Sequence, residues 1–157
     1  MRRKDREITD FNEVLAIMEK CAVCRLAMVD NGLPYVVPMN FALIEEKGKI
    51  TLYFHSAKEG RKIDILKTNP VVCVEMDCSL KLIVGENACD YTMNYKSIIG
   101  SGTAEFIDNE EEKEFALIQI MLKYSRNNNF EFYEKVYERT ALLKVTINEI
   151  SGKKHLS

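Results

Sequence analysis

The chain has no unbroken apolar run near the roughly 20 residues that cross a bilayer as a helix, so no membrane partner is expected. It has no excess of positive charge either. Its 22 Lys and Arg against 24 Asp and Glu give a net charge of −2, without the basic balance that nucleic acid binding usually needs. Only two histidines are present, His55 and His155, too few for a histidine-rich metal site. No GxGxxG, Walker or GxSxG pattern occurs, which leaves Rossmann, P-loop and serine-hydrolase chemistry without a motif. The basic start Met1-Arg2-Arg3-Lys4-Asp5-Arg6 leads into mixed sequence rather than an apolar segment, so no secretory signal is expected. Five cysteines, an odd number without such a signal, point to reduced thiols and a cytoplasmic location. Cys21-x-x-Cys24 lacks a second CxxC, so buried thiols are expected there and no metal. Without repeats or low-complexity segments, 157 residues fit one domain, with residues 1–9 as an arm, solvated or lying on a partner subunit, and 151–157 as a polar tail.

What is there is concentrated between Pro34 and Lys62. Two strand-like runs, Tyr35–Ile44 and Ile50–His55, flank the polar, glycine-containing segment Glu45–Lys49, a plausible hairpin loop. Pro34 and Pro38 cannot donate to a ladder, which places their strand at an edge, at a bulge, or where something else approaches. The second run ends in His55-Ser56-Ala57, and Gly60-Arg61-Lys62 opens a helix-like segment that closes at Asn69-Pro70. A phosphate dianion wants helix N-terminal N–H groups, a hydroxyl and fixed positive charge. Ser56, Gly60, Arg61 and Lys62 supply these. The alternative is a loop capped by Ser56 with two solvated cations beside it. His55 likewise reads either as a hydrogen-bonded strand-end residue or as an imidazole that tunes a cofactor.

Elsewhere a helix is expected from Asp10 to Lys20, headed by an Asp10/Glu13 capping box and buried through Phe11, Val14, Leu15 and Met18. Strands are expected at Cys24–Asp30, at Val71–Met76 (buried on both faces), at Leu80–Val84, at Lys96–Ile107 and at Ala141–Ile150. Asp30-Asn31-Gly32 suits a tight hairpin turn, and Gly100 and Gly102 suit a bend or close backbone approach. A helix over Glu110–Tyr124 should open with an Asp108/Glu111 box and bury Phe115, Ile118, Met121 and Leu122, with a short helical turn in Phe130–Tyr137. Many short, hairpin-linked strands with few helices make the fold class mainly β, a small antiparallel barrel with peripheral helices.

Several segments, in order, carry a resemblance: YVVPMNF, LYFHSAKEGRKIDIL and CDYTMNYKSIIGSGTAEF, with RRKDREIT at the start. They resemble the pyridoxamine 5′-phosphate oxidase-like FMN-binding split barrels, and within them the nitroimidazole-resistance (Nim-type) branch. The resemblance covers most of the chain, from Met1 to about Lys153. It implies an antiparallel split β-barrel and a homodimer with FMN at the subunit interface. It also implies that Val37, Pro38, Met39 and Asn40 line the flavin ring, largely through backbone groups. His55, Ser56 and Ala57 would approach the ribityl chain and ring edge, while Arg61 and Lys62 hold the phosphate. Ser97, with Tyr95, would come from a later strand of either subunit. Met39 stands where the family pattern suggests leucine, a volume-conserving exchange. True pyridoxamine phosphate oxidases carry an Arg-x-His element near their C-terminus, whereas this sequence reads SGKKHLS there.

The function implied is an FMN-dependent oxidoreductase acting on nitro groups of small aromatic compounds, with His55 nearest the chemistry. Two rivals are a flavin-binding sensor or carrier without turnover and, ranked below it, a haem-binding barrel of the same fold.

Overall fold

The computed structural model describes residues 2–125 and 129–156, and for residues 135 and 136 the backbone alone. Seven strands follow one hydrogen-bonded path, every pairing antiparallel. They are β2 (Cys24–Asp30), β3 (Leu33–Met39), β4 (Ala42–Glu46), β5 (Lys49–Ala57), β6 (Val71–Ile83), β7 (Thr92–Phe106) and β8 (Thr140–His155). Their spatial order is β3-β2-β6-β7-β8-β5-β4, and a two-residue β1 (Glu7–Ile8) pairs with β8. The Asn31-Gly32 turn (φ 50° and 85°) joins β2 to β3, and Lys47-Gly48 (φ 53° and 82°) joins β4 to β5. Positive φ at both central residues marks type I′ geometry, whose twist matches that of the strands it connects.

The two end strands of this path are consecutive in the chain. Only Asn40 and Phe41 separate β3 from β4, so Met39 and Ala42 lie within about 11 Å of each other. The sheet must therefore curl until its edges meet at that crossover, with no ladder between them. This is an antiparallel barrel left split along one seam. The single run expected over Tyr35–Ile44 is thus two strands on opposite edges, because Asn40 leaves one ladder and Ala42 enters another. Pro34 and Pro38 sit on edge strand β3, as their missing N–H requires. Tyr124 fastens the crossover: its hydroxyl accepts from the Phe41 N–H at 3.0 Å and donates to the Ala22 carbonyl at 2.8 Å.

The barrel interior is filled by alternate residues of each strand, among them Leu26, Leu52, Phe54, Val74, Met76, Ile98 and Leu143. Helix α1 (Phe11–Lys20) closes one side with Val14, Ile17 and Met18, while Phe11 stays exposed. Helix α2 is Arg61–Thr68, with Ile63, Ile65 and Leu66 inward. Helix α3 (Glu110–Tyr124) covers β4 and β5 through Ala116 and Ile120, which join Ala42, Tyr53, Ile107 and Leu142 in a second cluster. A four-residue α4 (Glu134–Tyr137) precedes β8.

Several expectations need correction. Neither Asp-headed capping box forms. Asp10 accepts from the Asn12 N–H, while Glu13 is drawn away to Lys96 and Lys154 (3.1 and 2.7 Å). The cap of α3 is Asn109, one residue later than expected, accepting from the Glu112 N–H at 2.9 Å. Phe115, Met121 and Leu122 of α3 are exposed, because the helix seats its small Ala116 against the barrel. Val71–Met76 alternates between exposed and buried faces, and the Leu80–Val84 run continues the same strand to Ile83 past a break in register near Ser79 (φ 60°). Most of the expected tail is β8, half-burying His155, whose ring nitrogen lies 3.2 Å from the Thr92 hydroxyl. Most of the expected arm is a 3-10 turn (Lys4–Arg6) and β1, which brings Ile8 into the core. Met1 and Ser157 lie outside the described residues.

Gly102 shows how closely β7 and β8 approach. A Cβ there would stand 2.4 Å from the Thr146 carbonyl oxygen, a backbone atom that cannot swing aside. Gly102→Ala should lower unfolding stability by about 2 kcal/mol, the usual scale of forced overpacking, read as a lower denaturant midpoint with unchanged slope. An unchanged midpoint would mean the two strands are less tightly apposed than this.

Candidate functional site

The C-terminal end of β5 delivers His55, Ser56 and Ala57 to one rim of the barrel, and residues 58–60 turn the chain into α2. Gly60 makes that turn at φ 122°, a conformation side-chain-bearing residues rarely adopt. It is the N-cap of α2 and offers no side-chain acceptor, unlike Asp10 and Asn109 on the other long helices. The Ile63 and Asp64 N–H groups bond to the Gly60 carbonyl (2.8 and 3.1 Å), leaving the first N–H groups of α2 directed outward.

Lys62 stands at this uncapped end. Its side chain is half-buried and reaches across to the barrel seam, with Nζ 3.6 Å from the Met39 sulfur. It makes no ion pair among the described residues. Burial accordingly lowers its pKa from the ordinary lysine value. A thioether is a weak acceptor, so this ammonium is poorly served by its own chain. Arg61 is better provided for: its Nε donates to Asp30 at 2.9 Å, and its guanidinium lies 4.4 Å over the Tyr35 ring. Asp30 and Tyr35 are the residues that sequence reasoning missed. They become neighbours of Arg61 only when the β2–β3 hairpin lies beside α2, and nothing local announces that.

Met39 is buried beside Lys62, Val37 is half-buried against the core, and Pro38 and Asn40 are exposed at the seam. His55 is open to solvent on one side. Partial desolvation, then the positive charge of Lys62, lowers its pKa below the ordinary histidine value. The ring is therefore neutral at pH 7 and able to offer one donor and one acceptor. A histidine whose folded pKa lies below its unfolded one opposes folding when protonated. That cost is absent above about pH 6.5, grows as pH falls toward the folded value and is fully present below it. An NMR titration of the His55 ring should show a midpoint below 6.5, moving upward in Lys62→Met. A wild-type midpoint at or above about 6.5 would overturn the lowering, and a midpoint unmoved in the variant would remove the Lys62 contribution.

The structure thus joins Met39 and Lys62, and sets His55 within the electrostatic reach of Lys62. Tyr95 and Ser97 are elsewhere. His55 is opposite Leu142 on β8, whose neighbour Leu143 is opposite Phe106 on β7. Ser97 lies nine residues from Phe106, roughly 30 Å of extended strand. Tyr95 is beyond it, among Lys153 and His155. Cys21 and Cys24 are buried free thiols, and burial pushes both up to about 12, so they stay protonated. Among the described residues, no three His, Cys, Asp or Glu side chains come together as metal ligands, and no helix is long and apolar enough to cross a membrane.

A sequence profile described as pyridoxamine 5′-phosphate oxidase matches residues 10–154. The chain belongs to that family. It is 34% identical to a Bacteroides thetaiotaomicron protein described as a candidate 5-nitroimidazole antibiotic resistance protein, over 94% of this chain and 86% of that one, with a TM-score of 0.82. A flavocytochrome from Azotobacter vinelandii is 23% identical over 100% of this chain and 72% of its own, TM-score 0.83. An FAD-binding protein from Mesorhizobium loti is 22% identical over 96% and 98%, TM-score 0.68. The last two likenesses establish the fold. Among curated proteins, none matches this chain. Family membership accords with the split barrel.

Proposed function

We propose that this protein is an FMN-binding flavoprotein that acts as a homodimer in the cytoplasm and reduces nitro groups of small aromatic compounds. The observation that carries the flavin reading is the half-buried Lys62, without an ion pair among the described residues, at the uncapped N-terminus of α2, facing Met39 of the seam. A phosphate monoester fits that place: it would accept from the free N–H groups and neutralise the ammonium. Arg61, held by Asp30 and Tyr35, adds a second fixed charge without reorganisation. When bound, the flavin supplies hydride and single-electron transfer, while the protein contributes position and electrostatics.

In this reading Val37, Pro38, Met39 and Asn40 present the seam to the flavin ring. Ser56 and Ala57 would lie beside its ribityl chain, and neutral His55 would supply a hydrogen-bond donor and an acceptor at the ring edge or at substrate. Gly60 lets the backbone approach the phosphate. Ser97 and Tyr95 would be contributed by the second subunit, since their own strand carries them far from His55. The likeness to the candidate nitroimidazole-resistance protein is what favours nitro compounds as substrates.

The test is direct. Purified protein titrated with FMN should quench flavin fluorescence to a one-to-one endpoint per chain. The complex, reduced under anaerobic conditions, should be reoxidised by a 5-nitroimidazole. Failure to bind FMN sinks the whole reading. Binding with no reoxidation sinks the nitro-reduction step and leaves a flavin carrier.

A further inference from the structure

A cleft of about 300 Å³ opens between α2 and the start of α3, away from the seam. Its floor is apolar, built from Ile63, Ile107 and Leu142, whose remaining exposure is 1, 4 and 2%. Three lysines from three separate elements line it: Lys58 from the loop before α2, Lys67 from α2 and Lys113 from α3. One carboxylate, Asp108, also lines it, so the lining carries a formal charge of +2. Lys113 is bonded to Glu110 at 2.6 Å, and Glu110 also accepts from Tyr137 at 2.8 Å. Lys58 feels the Glu110 charge, but neither it nor Lys67 makes an ion pair among the described residues.

Ile63 and Lys67 are four residues apart and share one face of α2. Arg61, Asp64 and Ile65 face a different hollow, beside Asp30 and Asn31. The cleft and the Arg61 end of the proposed phosphate site thus lie on different sides of one helix. Lys58 and Lys67 bring positive charge to the cleft that no ion pair among the described residues takes up, and the apolar residues beside them leave a place for an uncharged body. Both features are met by a ligand that is anionic at one end and apolar at the other. The size and make-up suit a small molecule: predominantly apolar walls with a few convergent polar groups.

We propose that this cleft binds a small organic anion, its aromatic or aliphatic body on Ile63, Ile107 and Leu142 and its carboxylate or phosphate head against Lys58, Lys67 and Lys113. The claim is independent of flavin binding. Phenyl phosphate and benzoate are the probes, titrated calorimetrically into the full chain with and without saturating FMN. The two head groups separate phosphate from carboxylate recognition. Inorganic phosphate and phenol, each carrying half the chemistry, should bind far more weakly than the better probe. Lys58→Ala/Lys67→Ala should weaken that probe about tenfold or more, while its FMN titration matches wild type. Four results would overturn the proposal: no binding of either probe up to about 10 mM, equal affinity in the double variant, inorganic phosphate binding as tightly, or displacement of the probe by FMN.

Discussion

Lys62→Met should weaken FMN binding roughly ten- to a hundredfold and, in the flavin-free protein, raise thermal stability. The two effects have opposite sign because the same charge serves opposite ends in the two states. Without ligand, the Lys62 ammonium is half-buried against a thioether and lacks a carboxylate partner among the described residues. Its folded pKa lies below its unfolded one, so its charge opposes folding. That cost is fully present below the folded pKa and fades as pH rises toward the ordinary lysine value. Methionine keeps the unbranched stem and its packing on Met39 while removing the charge. With phosphate bound, the ammonium becomes a charge-assisted donor worth about 1.5–3 kcal/mol, or roughly ten- to a hundredfold in affinity. Flavin fluorescence titration reads the first effect and thermal melting of the FMN-free protein the second. An affinity within threefold of wild type would mean the phosphate is held elsewhere. A lowered melting temperature would mean that Lys62 is a packing residue.

Much of this arrangement is legible in the sequence, for local reasons. The β2–β3 turn needs only Asn31-Gly32 and helix α2 only Gly60 and Asn69-Pro70, while the two prolines narrow β3 to an edge, a bulge or a place where something else approaches. What escapes is set by partners far along the chain. Glu13 has the spacing of a capping residue, yet two lysines on β7 and β8, placed by long-range pairing, take its carboxylate. In α3 several faces are apolar, and packing on β4 and β5 selects the one that buries Ala116 and Ile120 against Ala42 and Tyr53. The seam at Asn40 is invisible for the same reason. An apolar run says strand, but not that its halves belong to opposite edges. The site repeats the pattern. Ser56–Lys62 is contiguous and readable, whereas Asp30, Tyr35 and the Lys62–Met39 contact follow from tertiary geometry. The resemblance to split barrels supplied what periodicity could not, including the expectation that Tyr95 and Ser97 join the site.

That expectation carries the largest predicted effect. Within one chain, Ser97 is about nine strand residues from the level of His55, so only a second copy can bring the two together. The far end of the β6–β7 hairpin offers a means of attachment. Leu82 and Met93 are paired directly across the ladder, 54 and 43% exposed, and Leu80, Val84 and Tyr91 beside them are exposed as well. Contiguous apolar surface of this kind on a protein arm commonly marks an interface. Its closeness to Tyr95 on the same strand would carry that residue and Ser97 to the partner's seam. Leu82→Asp/Met93→Asp places two carboxylates where a subunit should bury apolar area, and removes nothing from the barrel interior. Sedimentation should show a dimer for wild type and a monomer for the variant, with unchanged far-ultraviolet circular dichroism. Losing both partner-supplied polar contacts, at about 1.5–3 kcal/mol each, should then weaken FMN by roughly a thousandfold. A monomeric variant that keeps wild-type FMN affinity would confine the flavin site to one chain, and a wild-type monomer would do the same. A variant still dimeric would move the interface off this hairpin. In either case the placement of Tyr95 and Ser97 in the flavin site would have to be given up.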